Sequence, residues 1–320
     1  MNIFARAASY YFVIQSECEI RPPAARALRV LRAAQLGMCF GVRDAIALAH
    51  QQPPSAPLTI LGDLVHNETV LAGLRARGIR IENHLERVTT PSVMITAHGA
   101  SDKTLEAVQE RGLRVLEATC PLVHFAHRAV KSLVRDHFHP VIIGRRDHVE
   151  VRGLTEDLAE FDVILTEQDA LQLAERPRFG VAAQTTQPID RVRHLVEVMR
   201  RRFRRTEIRF LDTVCRPTKE RQAAAVEMAR QADVVIVVGG ANSNNTRELA
   251  ATCRRFCDRV HQVDDASGLR AEWLVNAATV GLTAGTSTPD PVIDEVELRL
   301  RALGGEAVEA GDETAGWASG

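Results

Sequence analysis

The sequence predicts an α/β fold with three domains related by an approximate threefold repeat, each a parallel-type sheet flanked by helices. The first observation is the repeat itself. Three segments share a short β-like run, then a cysteine, then a helical pattern with apolar residues at three- and four-residue spacing; the cysteines are Cys39, Cys120 and Cys215. The second observation is the alternation of strands and helices in each copy, which favours a parallel sheet with helices on its faces.

Each copy continues with a second strand that stops at a glycine, and then with a third strand that ends in polar residues. The glycines are Gly62, Gly144 and Gly239, and each lies 23 or 24 residues after the cysteine of its copy. The third strands are SVMITAHG, FGVAAQTT and TVGLTAGTS. Unrelated loops would not keep this spacing, so the three copies are predicted to share one fold.

The repeat also predicts the limits of the domains. We expect a first α/β domain over 27–120, a second over 121–214 and a third over 215–303. Residues 1–26 form an N-terminal extension outside the repeat, which we expect to be poorly ordered. The tail 304–320 is rich in Gly, Ala and Glu without an apolar period, and we expect it to be flexible.

The composition excludes several classes of protein. With 320 residues, of which 45% are hydrophobic and 25% charged, the chain is not disordered, collagenous or a coiled coil. A net charge of −1 and 4% aromatic residues offer no basic or stacking surface to nucleic acid. No apolar stretch is long enough to cross a bilayer, and no secretory signal is evident at the N-terminus. We therefore expect a cytoplasmic protein with neither a membrane nor a nucleic-acid partner.

Three cysteines at equivalent positions indicate a metal centre. The loops after parallel strands meet on one side of a sheet, so the cysteine loops are expected to converge. Their separations of 81 and 95 residues do not match the paired spacing of structural zinc sites. Three thiolates can hold Zn²⁺ with one open position or a 4Fe–4S cluster with one open iron, and the threefold symmetry favours the cluster modestly. Cys18, Cys253 and Cys257 receive no role.

Polar residues in the glycine loops and in the third loops form a second set. Their imidazoles, hydroxyls and amides suit a phosphate or diphosphate, helped by backbone N–H groups. They are His66, Asn67, His98, His148, Thr185, Thr186, Ser243, Asn244, Asn245, Thr286 and Ser287. Glu150 is the one carboxylate of the set. Burial beside negative charge would raise its pKa and make it a proton donor, whereas a helix N-terminal role or pairing with Arg145, Arg146 or Arg152 are the alternatives.

Nine motifs follow one another between Val30 and Leu303: GMCFGVRDAI, HNETV, TAHG, EATCPLV, HVEVRG, QTT, DTVCRPTKERQ, GGANSNNTREL and GLTAGTSTPD. In order and spacing they resemble the 4-hydroxy-3-methylbut-2-enyl diphosphate reductases, the IspH or LytB family. The resemblance implies an oxidoreductase of the non-mevalonate (MEP) isoprenoid pathway, which reductively removes the C4 hydroxyl of an allylic diphosphate and yields isopentenyl and dimethylallyl diphosphates. It also implies three α/β domains around a central 4Fe–4S iron–sulfur cluster.

The resemblance further implies roles for individual residues. Cys39, Cys120 and Cys215 would be the cluster ligands and would leave one iron open. Glu150 would relay the proton, and Thr185 would help to position the substrate hydroxyl. The residues expected to bind the diphosphate are His66, His98, His148, Ser243, Asn244, Asn245 and Ser287. Two electrons would arrive singly from a ferredoxin- or flavodoxin-type donor.

The chain departs from the family pattern at four places. Phe40 replaces an alanine beside the first cysteine, and Val149 replaces the proline before the proposed acid. Residues 217–219 replace Ala-Thr-Gln, and Asn244 replaces a serine. None of these removes a ligand or the acid, so the diphosphate reductase is the leading hypothesis. A paralogue with another allylic or phosphorylated substrate, or a non-catalytic iron–sulfur sensor, are the alternatives. The basic run 200–205 is interpreted as a solvated helix end, or as a docking point for an acidic electron donor.

Overall fold

The computed structural model describes residues 28–53, 55–65 and 67–305. The predicted extension 1–26, the end of the predicted tail, Cys18 and His66 lie outside these residues. Within them, twelve strands form three sheets of four strands, and all neighbouring strands are parallel. The predicted α/β class with three parallel sheets is therefore confirmed.

The three sheets share one topology. The first contains β2 (Leu58–Leu61), β3 (Arg80–Glu82), β4 (Ser92–Ile95) and β5 (Arg114–Glu117), in the order β3-β2-β4-β5. The second contains β6 (His139–Ile143), β7 (Asp162–Ile164), β8 (Arg178–Ala183) and β9 (Glu207–Phe210), in the order β7-β6-β8-β9. The third contains β1 (Arg29–Arg32), β10 (Val234–Val238), β11 (Val260–Val263) and β12 (Thr279–Ala284), in the order β11-β10-β12-β1. In each sheet one outer strand leads to a cysteine. These strands are β5, β9 and β1, and they pair with β4, β8 and β12, the third strands of the three repeats.

The first strand corrects the predicted limits of the first domain. The repeat pattern predicted one domain over 27–120, but β1 pairs with β12 in the third sheet. Leu28 and Leu31 accordingly pack in hydrophobic clusters of that sheet. The physical reason is that the strand before each cysteine completes the sheet of the preceding repeat. No further strand follows the third repeat among the described residues, and the first described strand, β1, completes its sheet. The other predicted limits stay predictions.

Ten α-helices connect the described strands. They are α1 (Phe40–His50), α2 (Glu68–Ala76), α3 (Asp102–Glu110), α4 (Pro121–Arg135), α5 (Val149–Thr155), α6 (Glu167–Gln172), α7 (Ile189–Arg202), α8 (Arg216–Ala229), α9 (Asn244–Cys253) and α10 (Asp290–Leu303). Local sequence explains several of their starts, because Asn67, Ser101, Thr166 and Ser243 are N-caps whose side chains accept a first-turn N–H. Helices α1, α4 and α8 begin directly after the three cysteines. This is the order that the repeat predicts.

The strand β10 shows how helices on both faces bury a parallel sheet. All five of its side chains are fully buried. Val235 and Val237 pack in a cluster with α8 and α9, whereas Val234, Ile236 and Val238 pack against α10. Alternate side chains of a strand point to opposite faces, so a continuous run of valine and isoleucine is what a strand covered on both sides requires. The polar residues are left to the loops at its carboxyl end.

Two features of the surface bear on possible partners. In the part of the chain that the structure describes, no helix has both the length and the apolar character that a membrane crossing demands. The basic run 200–205 lies at the end of α7, and its arginines are exposed. Its interpretation as a solvated helix end is confirmed, and its use as a docking point stays a prediction.

Candidate active site at the carboxyl ends of the three sheets

Each of the three predicted ligand cysteines is the N-cap of a helix. Cys39 precedes α1, Cys120 precedes α4 and Cys215 precedes α8, and none of the thiols makes a capping hydrogen bond with its own helix. None of these helices has an acidic residue in its first turn. The positive end of a helix dipole therefore lies at each cysteine, which favours a negatively charged metal–thiolate group, and the Cys215 sulfur also contacts the Thr218 hydroxyl at 3.1 Å.

One backbone hydrogen bond recurs at every cysteine and shows that the repeat extends to atomic detail. The N–H of Cys39 donates to the carbonyl of Thr286 at 3.1 Å, that of Cys120 to Ala97 at 3.1 Å, and that of Cys215 to Thr185 at 3.0 Å. Each acceptor is the second residue after β12, β4 or β8. The predicted cysteine loops and third loops are thus joined pairwise at the carboxyl ends of the strands.

The cysteines also lie close to one another. A Cβ atom on Gly41 would come within 2.6 Å of the Sγ of Cys120, so glycine lets the start of α1 approach that sulfur. Burial raises the pKa of the Cys120 thiol, and negative charge on Cys39 and Glu150 raises it further. Burial raises the pKa of Cys215 to about 11, with Glu150 and Cys39 again adding to it. Cys39, Cys120 and Cys215, called the cysteine centre below, therefore lie near one another, and Glu150 lies near Cys120 and Cys215.

The three sulfurs of the cysteine centre come from the starts of three different helices. Among the described residues, no group of three or more His, Cys, Asp or Glu side chains is arranged to hold one metal ion. A tetrahedral Zn²⁺ with Zn–S bonds of about 2.3 Å would hold its sulfurs about 4 Å apart. A 4Fe–4S cluster separates its thiolates more widely, because each one binds a different iron. Three capped helix ends without acidic residues fit such a group.

Glu150 lies in the first turn of α5 and is only 1% exposed. Its Oε1 accepts the backbone N–H of Thr185 at 2.6 Å, and its Oε2 accepts the Thr185 hydroxyl at 3.0 Å. Burial raises the pKa of Glu150 from 4.5 to about 7, although both hydrogen bonds from Thr185 act to lower it. The direction expected from the sequence is confirmed. The alternative of pairing with Arg145 is not observed, because Arg145 binds Asp147 at 2.8 Å.

Two of the predicted histidines lie side by side next to this carboxyl. The rings of His98 and His148 meet edge to face with centroids 5.6 Å apart. His148 is the N-cap of α5, and its Nδ1 accepts the N–H of Glu150 at 3.2 Å. An Nδ1 that accepts a hydrogen bond from a backbone N–H carries no proton, so in the neutral ring Nε2 carries it and is a donor that suits an anion. His66, the third predicted histidine, is not among the described residues.

The predicted residues of the third domain present buried donors. Asn244 is 2% exposed and Asn245 is 7% exposed, and their Nδ2 atoms have no hydrogen-bond partner among the described residues. Ser243 caps α9 by accepting the N–H of Thr246 at 3.3 Å, and Ser287 is 5% exposed. A buried amide without a partner costs about 1–3 kcal/mol. These amides are therefore placed for an acceptor that is not part of the polypeptide, such as a phosphate oxygen.

Sequence reasoning missed two residues at this site. Thr246 is fully buried between Gly239 and Gly285, and a Cβ on either glycine would collide with its hydroxyl. Arg221, in the motif DTVCRPTKERQ, is 7% exposed and donates from Nε to the carbonyl of Gly37 at 2.9 Å. The only available signal was its position in α8, where the six-residue distance from Cys215 does not by itself reveal burial.

Two of the departures from the family pattern, Phe40 and Val149, lie at the starts of helices next to the site. The Phe40 side chain is 46% exposed, so much of its bulk faces solvent. Val149 is the first residue of α5, and the helix still begins after the His148 cap. The Thr185 hydrogen bonds hold Glu150 without help from a proline. Cys253 and Cys257 are buried in the hydrophobic cluster of α8 and α9, consistent with the absence of a predicted role.

Comparison with known proteins finds relatives over most of the chain. Residues 30–301 match the family model described as LytB protein. The 4-hydroxy-3-methylbut-2-enyl diphosphate reductase of Geobacter metallireducens is 34% identical over 279 residues, covering 86% of this chain and 98% of the relative. The enzyme of that name from Burkholderia pseudomallei is 38% identical over 286 residues, covering 87% of this chain and 90% of the relative.

Solved structures give the same result. One is described as (E)-4-hydroxy-3-methyl-but-2-enyl diphosphate reductase, the terminal enzyme of the non-mevalonate pathway. It is 30% identical with a TM-score of 0.62, and the match covers 86% of this chain and 99% of that one. A second, the E-1-hydroxy-2-methyl-but-2-enyl-4-diphosphate reductase from Plasmodium falciparum, is 25% identical with a TM-score of 0.79, covering 85% and 87%. On the family match and these relatives, the chain belongs to the LytB protein family.

Proposed function

We propose that this protein is a reductase that converts 4-hydroxy-3-methylbut-2-enyl diphosphate to isopentenyl and dimethylallyl diphosphates, the last step of the non-mevalonate pathway. The observation that carries the proposal is Glu150, a buried carboxyl with a pKa of about 7 beside three cysteine-capped helix ends. The names of the relatives supply the substrate and the reaction. The site supplies an acid, a place for a redox group and donors for an anion.

Cys39, Cys120 and Cys215 would hold a 4Fe–4S cluster as its three protein ligands. Burial raises the pKa of Cys120 and Cys215, so metal binding at these thiols would release protons. When bound, such a cluster supplies single electrons and an open iron that polarises the substrate hydroxyl. Three cysteines at equivalent helix starts of the threefold repeat support the cluster over the zinc alternative.

The diphosphate would lie among the buried donors around this centre. The residues that we assign to it are His66, His98, His148, Ser243, Asn244, Asn245 and Ser287. Neutral donors suit this task, because several hydrogen bonds to an anion that has lost its water provide both affinity and orientation. The buried Asn244 and Asn245 amides support the assignment, since they have no acceptor among the described residues.

Glu150 would deliver a proton to the leaving hydroxyl. Replacing the C–OH bond by C–H consumes two electrons and two protons and releases water, so the site must provide an acid close to the oxygen. A pKa of about 7 makes a carboxyl a good donor near neutral pH. Thr185 would fix the carboxyl through its backbone N–H and its hydroxyl, and this contact would place that hydroxyl beside the reacting oxygen. A ferredoxin- or flavodoxin-type protein would supply the electrons.

The test is anaerobic turnover of 4-hydroxy-3-methylbut-2-enyl diphosphate by reconstituted protein with a reduced viologen dye. Iron and sulfide are counted first. We expect both five-carbon diphosphates as products. Cys120→Ser should lose iron and turnover together. The control is Cys257→Ser, which should keep both because Cys257 lies in the hydrophobic cluster of the third domain. A Cys120→Ser protein with full iron content and activity would refute the assigned centre.

Failure of turnover has a separate meaning. A wild-type protein that holds its full iron and sulfide but does not convert this diphosphate would refute the substrate assignment. It would favour the paralogue with a different allylic or phosphorylated substrate, and Phe40→Ala and Val149→Pro would be the first reversions to make. The acid at Glu150 argues against a sensor without catalysis, because a sensor has no need of a buried proton donor.

A further inference from the structure

Arg221 is a buried cation that joins the first and third cysteine loops. It lies on α8, six residues after Cys215, and is 7% exposed. Its Nε donates to the carbonyl of Gly37 at 2.9 Å, and one terminal nitrogen donates to the carbonyl of Pro217 at 3.2 Å. Gly37 has a φ of +76° and lies two residues before Cys39. The Arg221 side chain, which extends from α8, therefore holds the turn that leads to Cys39.

Among the described residues no carboxylate forms a salt bridge with Arg221, and the negative charge of Glu220 acts on it less than that of Cys39 and Cys215. Other arginines near the site are neutralised: Arg43 pairs with Asp290 at 2.9 Å, and Arg216 pairs with Glu220 at 2.5 Å. Among the described residues Arg221 makes no salt bridge, and its hydrogen bonds go to the two backbone carbonyls. A buried charge is expensive unless an opposite charge compensates it. The structure therefore calls for an anion near this guanidinium.

The sulfurs of the cysteine centre are the groups that can supply that anion. Burial lowers the pKa of Arg221, and negative charge on Cys39 and Cys215 is the largest influence acting against it. Both side chains become thiolates when they bind a metal. The guanidinium and the metal–thiolate group would then compensate each other, and the positive charge would act most strongly on the form of the centre that carries one more electron.

We propose that Arg221 is a positioning residue for the iron–sulfur centre, which anchors the Cys39 loop and whose fixed positive charge raises the reduction potential of that centre. The inference rests on the proposed function only for the presence of the cluster. It does not depend on the identity of the substrate, because the potential is measured without it.

The test is a redox titration of anaerobic, reconstituted full-length protein, followed by electron paramagnetic resonance, with iron and sulfide counted for every sample. Arg221→Gln removes the charge and keeps an N–H donor for the Gly37 carbonyl. Arg221→Lys keeps the charge. Arg216→Gln is the matched control, because it removes an arginine of the same helix next to Cys215 whose side chain is 86% exposed.

We expect Arg221→Gln to lower the ratio of reduced to oxidised centre at a fixed potential by about tenfold, which is about 59 mV for a one-electron couple. Arg221→Lys should stay near the wild-type potential. Arg216→Gln should also stay there, since solvent and salt screen an exposed charge. An unchanged potential in Arg221→Gln, or an equal shift in Arg221→Lys, would overturn the role of the charge.

Loss of the cluster is also decisive. If Arg221→Gln does not retain iron, the iron content and reduction potential of Arg221→Lys test the proposal instead. An Arg221→Lys protein that retains iron and has the wild-type potential supports the proposal. Loss of iron from Arg221→Lys as well overturns it. A wild-type protein that binds no iron would refute the cysteine centre and this inference together. If the wild-type protein binds its cluster but does not turn over the diphosphate, only the substrate assignment fails, and the measured potentials still support or overturn the role of Arg221.

Discussion

Replacing Glu150 with glutamine should remove a pH-dependent loss of stability from the metal-free protein. The carboxyl is buried, and its pKa in the folded protein is about 7, against an ordinary value of 4.5. A group whose pKa rises on folding contributes its full stability below the unfolded pKa. That contribution is lost as the pH rises through the folded pKa, because the folded protein then holds a buried carboxylate. The window is therefore pH 4.5 to 7.

The magnitude follows from the two pKa values. Each unit of difference corresponds to about 1.4 kcal/mol, so a rise from 4.5 to about 7 amounts to roughly 3 kcal/mol between pH 4 and pH 8. Glutamine is neutral throughout and has nearly the same shape. Its amide can still contact Thr185, because its oxygen accepts the backbone N–H and its nitrogen donates to the hydroxyl. We therefore expect the variant to fold and to become more stable than the wild type as the pH rises.

The measurement is the free energy of unfolding in urea for both proteins at pH 4, 6 and 8. The difference between them should change by about 3 kcal/mol across this range. Glu110→Gln, at the exposed end of α3, is the control for the substitution itself and should follow the wild type. A wild-type to Glu150→Gln difference that does not vary with pH would refute the raised pKa. In the loaded enzyme, the same variant should lose turnover while it retains iron.

Three further predictions concern other residues of the site. Thr185→Val removes the hydroxyl that donates to Glu150. A hydrogen bond to a charged group is worth about 1.5–3 kcal/mol, so the pKa of the carboxyl should rise by about one to two. The high-pH limb of the turnover profile should move to higher pH by the same amount. An unmoved limb would contradict this contact. Gly285→Ala places a methyl against Thr246, so urea unfolding should show a loss of about 1–3 kcal/mol, and unchanged stability would contradict the close approach. His148→Ala should raise the KM for the diphosphate more than it lowers kcat, and an unchanged KM would remove His148 from the anion site.

Much of the site could be predicted because its residues repeat with the elements that carry them. A strand that ends at a cysteine, and another that ends at a glycine, are patterns of local sequence, and the carboxyl ends of parallel strands meet at one edge. This is why Cys39, Cys120 and Cys215 were expected to converge, and why each one donates to an equivalent carbonyl. Glu150 was identified for the same reason, because it follows the glycine that ends a strand of the second repeat.

Other features depend on contacts between distant parts of the chain. The strand β1 was assigned to the first domain because it is next to it in sequence, yet it pairs with β12 about 250 residues away. Hydrophobic patterning identifies a strand but not its partner, since any parallel edge with a matching apolar face would accept it. Closure of a threefold ring selects that partner, and no local pattern contains this information.

The burial of polar groups also separates what the sequence predicts from what only the tertiary structure decides. The sequence by itself determined the α/β class, the three-domain repeat and the residue types around the cysteine centre, because these follow from periodicity and spacing. Only the tertiary structure decided that Thr185 holds Glu150 in a site that raises its pKa to about 7, and that Arg221 lies buried behind Cys39 without a carboxylate partner among the described residues. The physical reason is that desolvation and charge pairing act through space, between residues that the chain brings together only when it folds.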